Sequence, residues 1–135
     1  DLDTCMMSTP LNDVGDALRS YTTTGVEDDR RLENVRMDID IFKAYIKGFL
    51  SQRYSTLVPE EIKEVPFSGI YITFEQVLRF LMDYIDGDKY YKIAYPEHNL
   101  VRTHAQFALL QSMEKQYGAM NNIITDIVDK QNLLS

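Results

Sequence analysis

The chain is poor in the features that mark secreted scaffolds, membrane spans and nucleic-acid binders. Cys5 is its one cysteine, so no internal disulfide can form, and a reducing, cytoplasmic setting is expected. No apolar run approaches the roughly 20 residues that a membrane span needs. Basic residues are scarce, 14 Lys+Arg against 21 Asp+Glu for a net charge of −7. That balance argues against nucleic acid or an anionic membrane as partner, since both call for a clustered basic patch. The glycines at 15, 25, 48, 69, 87 and 118 are too widely spaced to form a loop that wraps phosphates. A His-x-Asp-x-x-x-x-Asn catalytic loop and a strand lysine of the Val-Ala-Ile-Lys kind are also missing. No stretch alternates at period two for long enough to build a sheet, and at most a scrap of strand is expected at residue 1.

What is there is helical periodicity. With 135 residues, 44% of them hydrophobic, the chain can bury one core, and residues 1–135 read as a single all-α domain. Asp38 is placed to cap a helix over about 38–52, whose apolar stripe is Ile41, Phe42, Tyr45, Ile46, Phe49 and Leu50. Pro59 followed by Glu60 and Glu61 opens a short helix at 59–64. A second long helix is expected at 67–86, buried through Phe67, Ile70, Phe74, Val77, Leu78, Leu81, Tyr84 and Ile85, with Gly87 as its C-terminal cap. Pro96 interrupts a connecting loop. The longest helix is expected at 99–130, with Leu100, Phe107, Leu110, Met113, Tyr117, Met120, Ile124, Ile127 and Val128 inward and Gly118 as a weak point where it can bend. A short helix at 13–22 starts at Asp13, a natural N-cap.

Two acidic segments near the start have chemical interest. Asp1-Leu2-Asp3-Thr4 is followed by Asp13-Val14-Gly15-Asp16. Two acids at i, i+2 on extended chain face the same side, roughly 6–7 Å apart, so they share one ion only if the chain bends between them. Together the segments resemble the magnesium-aspartate region of the aminoglycoside-phosphotransferase and choline-kinase superfamily. That resemblance assigns a metal to Asp1 with Asp3 as a second contact, and a structural bracing role to Asp13 and Asp16. It also implies that the chain is the helical C-terminal subdomain of a protein-kinase-like fold, truncated at the metal aspartate.

The segment Arg79-Phe80-Leu81-Met82-Asp83-Tyr84-Ile85-Asp86-Gly87-Asp88-Lys89-Tyr90-Tyr91, with His98-Asn99-Leu100 after it, narrows the resemblance. It is similar to the C-terminal string of N-acetylhexosamine 1-kinases, Arg-Phe-Leu-Thr-Asp-Tyr-Leu-x-Gly-Asp-x-Tyr-Phe followed by His-Asn-Leu. Met82, Ile85 and Tyr91 depart from it. The resemblance spans residues 1 to about 117. Some proteins resembling this family have been labelled mucin-desulfating, but Cys5 has no sulfatase signature around it.

The resemblance implies transfer of the γ-phosphate of ATP to an N-acetylhexosamine, with Mg²⁺ and ATP bound by the intact parent and neither bound to this piece. A neutral sugar is held by fixed donors, an arginine and aromatic faces, which makes Arg79, Tyr90 and Tyr91 the candidate substrate-binding residues. By pattern alone, Arg79 reads more readily as a solvated helix arginine, and the two tyrosines equally pack over their own loop. His98 reads as part of a helix start, and His104 as part of the helix edge. Lacking the base and the phosphate lysine, the chain is expected to be inactive alone. Self-association through the surface left by truncation, in the N-terminal third, is also expected. A non-catalytic helical interaction module is the alternative reading.

Overall fold

Asp38 does cap a helix: its carboxylate accepts hydrogen bonds from Asp40 N at 2.9 Å and Ile41 N at 3.2 Å. The structure is a computed structural model that describes residues 8–134, with side chains over 8–132. Its helices are α1 (Thr9–Tyr21), α2 (Ile39–Arg53), α3 (Pro59–Lys63), α4 (Val65–Ile85), α5 (His98–Lys115) and α6 (Tyr117–Leu134). Single 3₁₀ turns occupy Leu32–Asn34 and Tyr54–Thr56. The fold is all-α, as the periodicity predicts. Among the described residues the only β pairing is an isolated bridge between Thr23 and Met37.

Helix α4 lies between α1 and α5, while α2 packs on α6. Side chains from all six helices join one core, with Leu18, Phe42, Ile46, Leu109, Met113 and Met120 fully enclosed. The close approach of α1 to α4 depends on two glycines. A Cβ on Gly15 would stand 2.6 Å from the Ser68 carbonyl oxygen, and one on Gly69 would meet Leu18 at 3.2 Å.

Four expectations need correction. First, α1 begins at Thr9, with Ser8 before it and Pro10 in its first turn, so Asp13 is an exposed mid-helix residue and not an N-cap. Second, the expected helix over 99–130 is two helices, separated at Gln116. The break lies two residues before Gly118 because the incoming loop pins it there. Gln116 Nε2 donates to the Met37 carbonyl at 2.8 Å, and Met37 N–H donates to Ser112 Oγ at 2.9 Å. Third, Phe107 and Tyr117 are exposed, and Ala105 and Leu109 take inward positions.

The fourth correction concerns α4, whose buried face is turned well away from the one its apolar residues suggest and shares only Val77 with it among the fully buried residues. Ser68, Gly69, Thr73, Val77, Phe80 and Asp83 point inward, whereas Phe67, Phe74, Leu78 and Ile85 are exposed. Small residues let α1 and α5 come close, and the buried hydroxyls cost little because their own helix satisfies them. Ser68 Oγ donates to the Val65 carbonyl at 2.6 Å and Thr73 Oγ1 to the Gly69 carbonyl at 2.7 Å.

Candidate functional site

The C-terminus of α4 closes in a Schellman turn. Gly87 N–H donates to the Tyr84 carbonyl at 3.2 Å and Asp88 N–H to the Asp83 carbonyl at 2.7 Å. Gly87 at φ 95° supplies the left-handed residue that this turn demands, and Asp88 follows at φ 60°. The chain is thereby reversed, and residues 89–91 run back past the last turn of α4.

Asp83 organises that return. Its Oδ1 accepts from Tyr90 N at 2.7 Å, and its Oδ2 accepts from Tyr91 N at 3.0 Å and from Asn99 Nδ2 at 2.7 Å. Burial pushes the carboxyl upward, but the amides of Tyr91, Tyr90 and Lys89 and the Asn99 side chain outweigh it and hold Asp83 below the ordinary carboxylate range. Asn99 is fully buried and fully used. It also donates to Asp88 Oδ1 at 3.0 Å, and its own oxygen accepts from Arg102 at 2.8 Å. Arg102 then reaches the Lys92 carbonyl at 3.1 Å and lies over the Phe80 ring.

These ties place two tyrosine rings beside α4. Tyr91 packs on Phe80 with ring centroids 4.8 Å apart, and its hydroxyl accepts from Gln76 Nε2 at 3.1 Å. Tyr90 meets Tyr91 edge-on and is 80% exposed, which leaves its face free. An open groove of about 340 Å³ results, lined by Arg79, Met82, Asp83, Asp86, Tyr90 and Tyr91. Arg79 pairs with Glu75 at 2.7 Å; that carboxylate chiefly, with help from Tyr91 and against some desolvation, keeps the guanidinium charged. The groove therefore presents a fixed cation, the Asp86 carboxylate as acceptor and an aromatic face. Arg79, Tyr90 and Tyr91, the three residues singled out for substrate binding, share this one groove.

The remaining expected site residues lie elsewhere. Asp1 and Asp3 fall outside the described residues. Asp13 is exposed on α1. Asp16 braces Arg19 at 3.3 Å, and Arg19 also reaches Glu27 at 3.0 Å and the buried Gln106 at 3.2 Å. Among the described residues no three acidic, histidine or cysteine side chains gather as metal ligands, and no helix is long and apolar enough to cross a membrane.

His98 is buried as the first residue of α5, stacked on Tyr95. Ala94 N–H donates to its Nδ1 at 3.0 Å, so its proton is on Nε2, facing Asp28 Oδ2 at 2.8 Å. His104 is exposed beside Asp29, Arg30 and Leu32.

Sequence reasoning missed Asp83 and Asn99 as organising residues. The available signal was local, an aspartate four residues before a glycine that turns the chain back past its own helix. A second cavity of about 450 Å³ lies between α3 and α6, lined by aliphatic Leu57, Ile62, Ile124 and Val128 and by polar Tyr54, Lys63, Thr125, Asp129 and Asn132. It lacks the arginine and paired tyrosines of the groove. No protein-family model matches the chain.

Proposed function

We propose that this chain is the C-terminal, substrate-binding subdomain of a cytoplasmic sugar kinase that transfers the γ-phosphate of ATP to an N-acetylhexosamine. The convergence of Arg79, Tyr90 and Tyr91 on one groove, with both tyrosine amides tied to Asp83, carries this reading. A pyranose has an apolar face for the exposed Tyr90 ring, hydroxyl donors for Asp86 and acceptors for Arg79. The Asp83 ties hold the tyrosine backbone before any sugar arrives, which lowers the ordering cost of binding. In this chain the groove's residues bind and orient the sugar. Magnesium, which neutralises phosphate charge, falls to Asp1 and Asp3, and ATP to parts of the kinase that this chain does not supply.

The test is an NMR titration of the chain with N-acetylglucosamine. Binding in the millimolar range is expected, with amide shifts at residues 79–91 that Arg79→Ala and Asp86→Asn remove. Absence of those shifts at saturating sugar overturns the reading. Calorimetry is expected to find no tight binding of ATP or Mg²⁺, and micromolar nucleotide affinity would contradict the division of labour proposed.

A non-catalytic interaction module is the second reading, and the apolar outer face of α4 favours it. Under that reading the sugar titration is silent while a protein surface engages α4.

A further inference from the structure

The outer face of α4 is apolar along its whole length. Phe67, Phe74, Leu78, Met82 and Ile85 are 41, 47, 41, 61 and 72% exposed, and half-buried Tyr71 fills the gap after Phe67. The positions 67, 71, 74, 78, 82 and 85 are three and four apart, the spacing of a helix-packing seam. At 1.5 Å per residue the seam is about 30 Å long. Soluble monomers rarely leave so continuous an apolar patch uncovered. The face of α1 that points to solvent carries Asn12, Asp13, Asp16 and Ser20, and the exposed apolar side chains that follow, Tyr21, Val26 and Leu32, are spread from the end of α1 along the loop and not aligned on one helix face.

The order of residues along this seam selects its occupant. Its N-terminal half is aromatic (Phe67, Tyr71, Phe74) and its C-terminal half aliphatic (Leu78, Met82, Ile85). An antiparallel copy related by a two-fold axis sets 67 against 85, 71 against 82 and 74 against 78. Every aromatic ring then meets an aliphatic side chain across the seam. Charge agrees with this register. Glu75 and Arg79 lie on one flank near the middle of the helix and pair at 2.7 Å within the chain. In an antiparallel two-fold the same flanks meet, so Glu75 of each copy lies beside Arg79 of the other. At about 150–250 Å² for a fully covered aromatic side chain, each copy hides on the order of 500 Å² of this half-exposed seam. Two copies together reach about 1,000 Å², the lower bound of a specific interface.

We infer that the outer face of α4 is a self-association surface, on which a second copy of this chain docks antiparallel about a two-fold axis near Phe74 and Leu78. The seam runs beside the groove and shares Met82 with it, so association walls the groove on that side. The inference does not depend on what the groove binds.

Sedimentation of the chain from micromolar to several hundred micromolar tests it. A concentration-dependent dimer is expected. Phe74→Glu and Leu78→Glu should each weaken it at least tenfold, with the helical circular dichroism kept because both side chains are on the surface. Glu75→Arg and Arg79→Glu should each weaken it, and a mixture of the two variants should form a heterodimer tighter than either homodimer, a recovery that the intrachain pair cannot give because neither variant restores it. A monomer at every concentration, or a dimer indifferent to Phe74→Glu and Leu78→Glu, overturns the proposal. So does a mixture of the two charge variants that associates no more tightly than either variant alone.

Discussion

Asn99 Nδ2 lies 2.7 Å from Asp83 Oδ2, and this one hydrogen bond ties the start of α5 to the end of α4 across a twelve-residue connection. The same carboxylate carries the amides of Tyr90 and Tyr91. Asp83 thus receives only donors, and that asymmetry makes it testable. In Asp83→Asn the new amide nitrogen must face a donor, since Tyr90 N, Tyr91 N and Asn99 Nδ2 already surround the group. The variant is expected to melt several degrees lower, and the Tyr90 and Tyr91 amides should exchange with solvent faster by at least tenfold. Unchanged exchange at both amides would show that the loop holds without Asp83.

Gly15 and Gly48 are both helical but should respond oppositely to alanine. At Gly15 the added methyl meets the Ser68 carbonyl oxygen at 2.6 Å, which is backbone and cannot swing away. Forcing α1 and α4 apart is expected to cost about 1–3 kcal/mol. At Gly48 an added methyl has nothing within 4 Å, so Gly48→Ala should gain about 0.5–1 kcal/mol from helix propensity. Urea denaturation of both variants checks the pair.

The acid limb of stability should depend on three carboxylates, one of them Glu61, which the Ser8 hydroxyl and then the Val58 amide hold below its ordinary range. The His98 hydrogen bond chiefly holds Asp28 below its ordinary 3.8, and the hydrogen bonds already described do the same for Asp83 against its burial. A folded pKa below the unfolded one stabilises the fold above the unfolded value, and that stabilisation is lost as pH falls through the folded value. Melting temperature should therefore be flat down to about pH 4 and fall below it. Asp28→Asn should start lower and lose less over that range. Tyr45 acts at the other end. Burial first, then the charges of Tyr21 and Asp13, raise its phenol above 10.0, so its contribution is present below pH 10.0 and lost as pH rises through the folded value. Tyr45→Phe should flatten the alkaline fall in melting temperature.

Arg79→Ala separates binding from folding. Its ion pair with Glu75 is on the surface, and such pairs contribute about 0–1 kcal/mol. Melting should shift little, while the sugar-dependent shifts at Tyr90 and Tyr91 disappear. A large loss of stability would assign Arg79 to the fold instead.

Helix existence was legible in the sequence because it rests on local chemistry. Asp38 caps its own helix two and three residues on, Pro59 needs no amide partner at a helix start, and Gly87 makes the turn that only a residue free of a Cβ makes cheaply. The proximity of Arg79, Tyr90 and Tyr91 was legible for the same reason, since a single turn separates them. The tertiary structure decided which face of α4 is inside. An apolar stripe states only that a face would gain from burial, and the closest packing went to the side where Gly69 and Gly15 allow the backbones to approach and where Ser68 and Thr73 bond to their own helix. Asp83 was decided in the same way: its role depends on Asn99, sixteen residues away, and periodicity does not encode which side chains of two packed helices will meet.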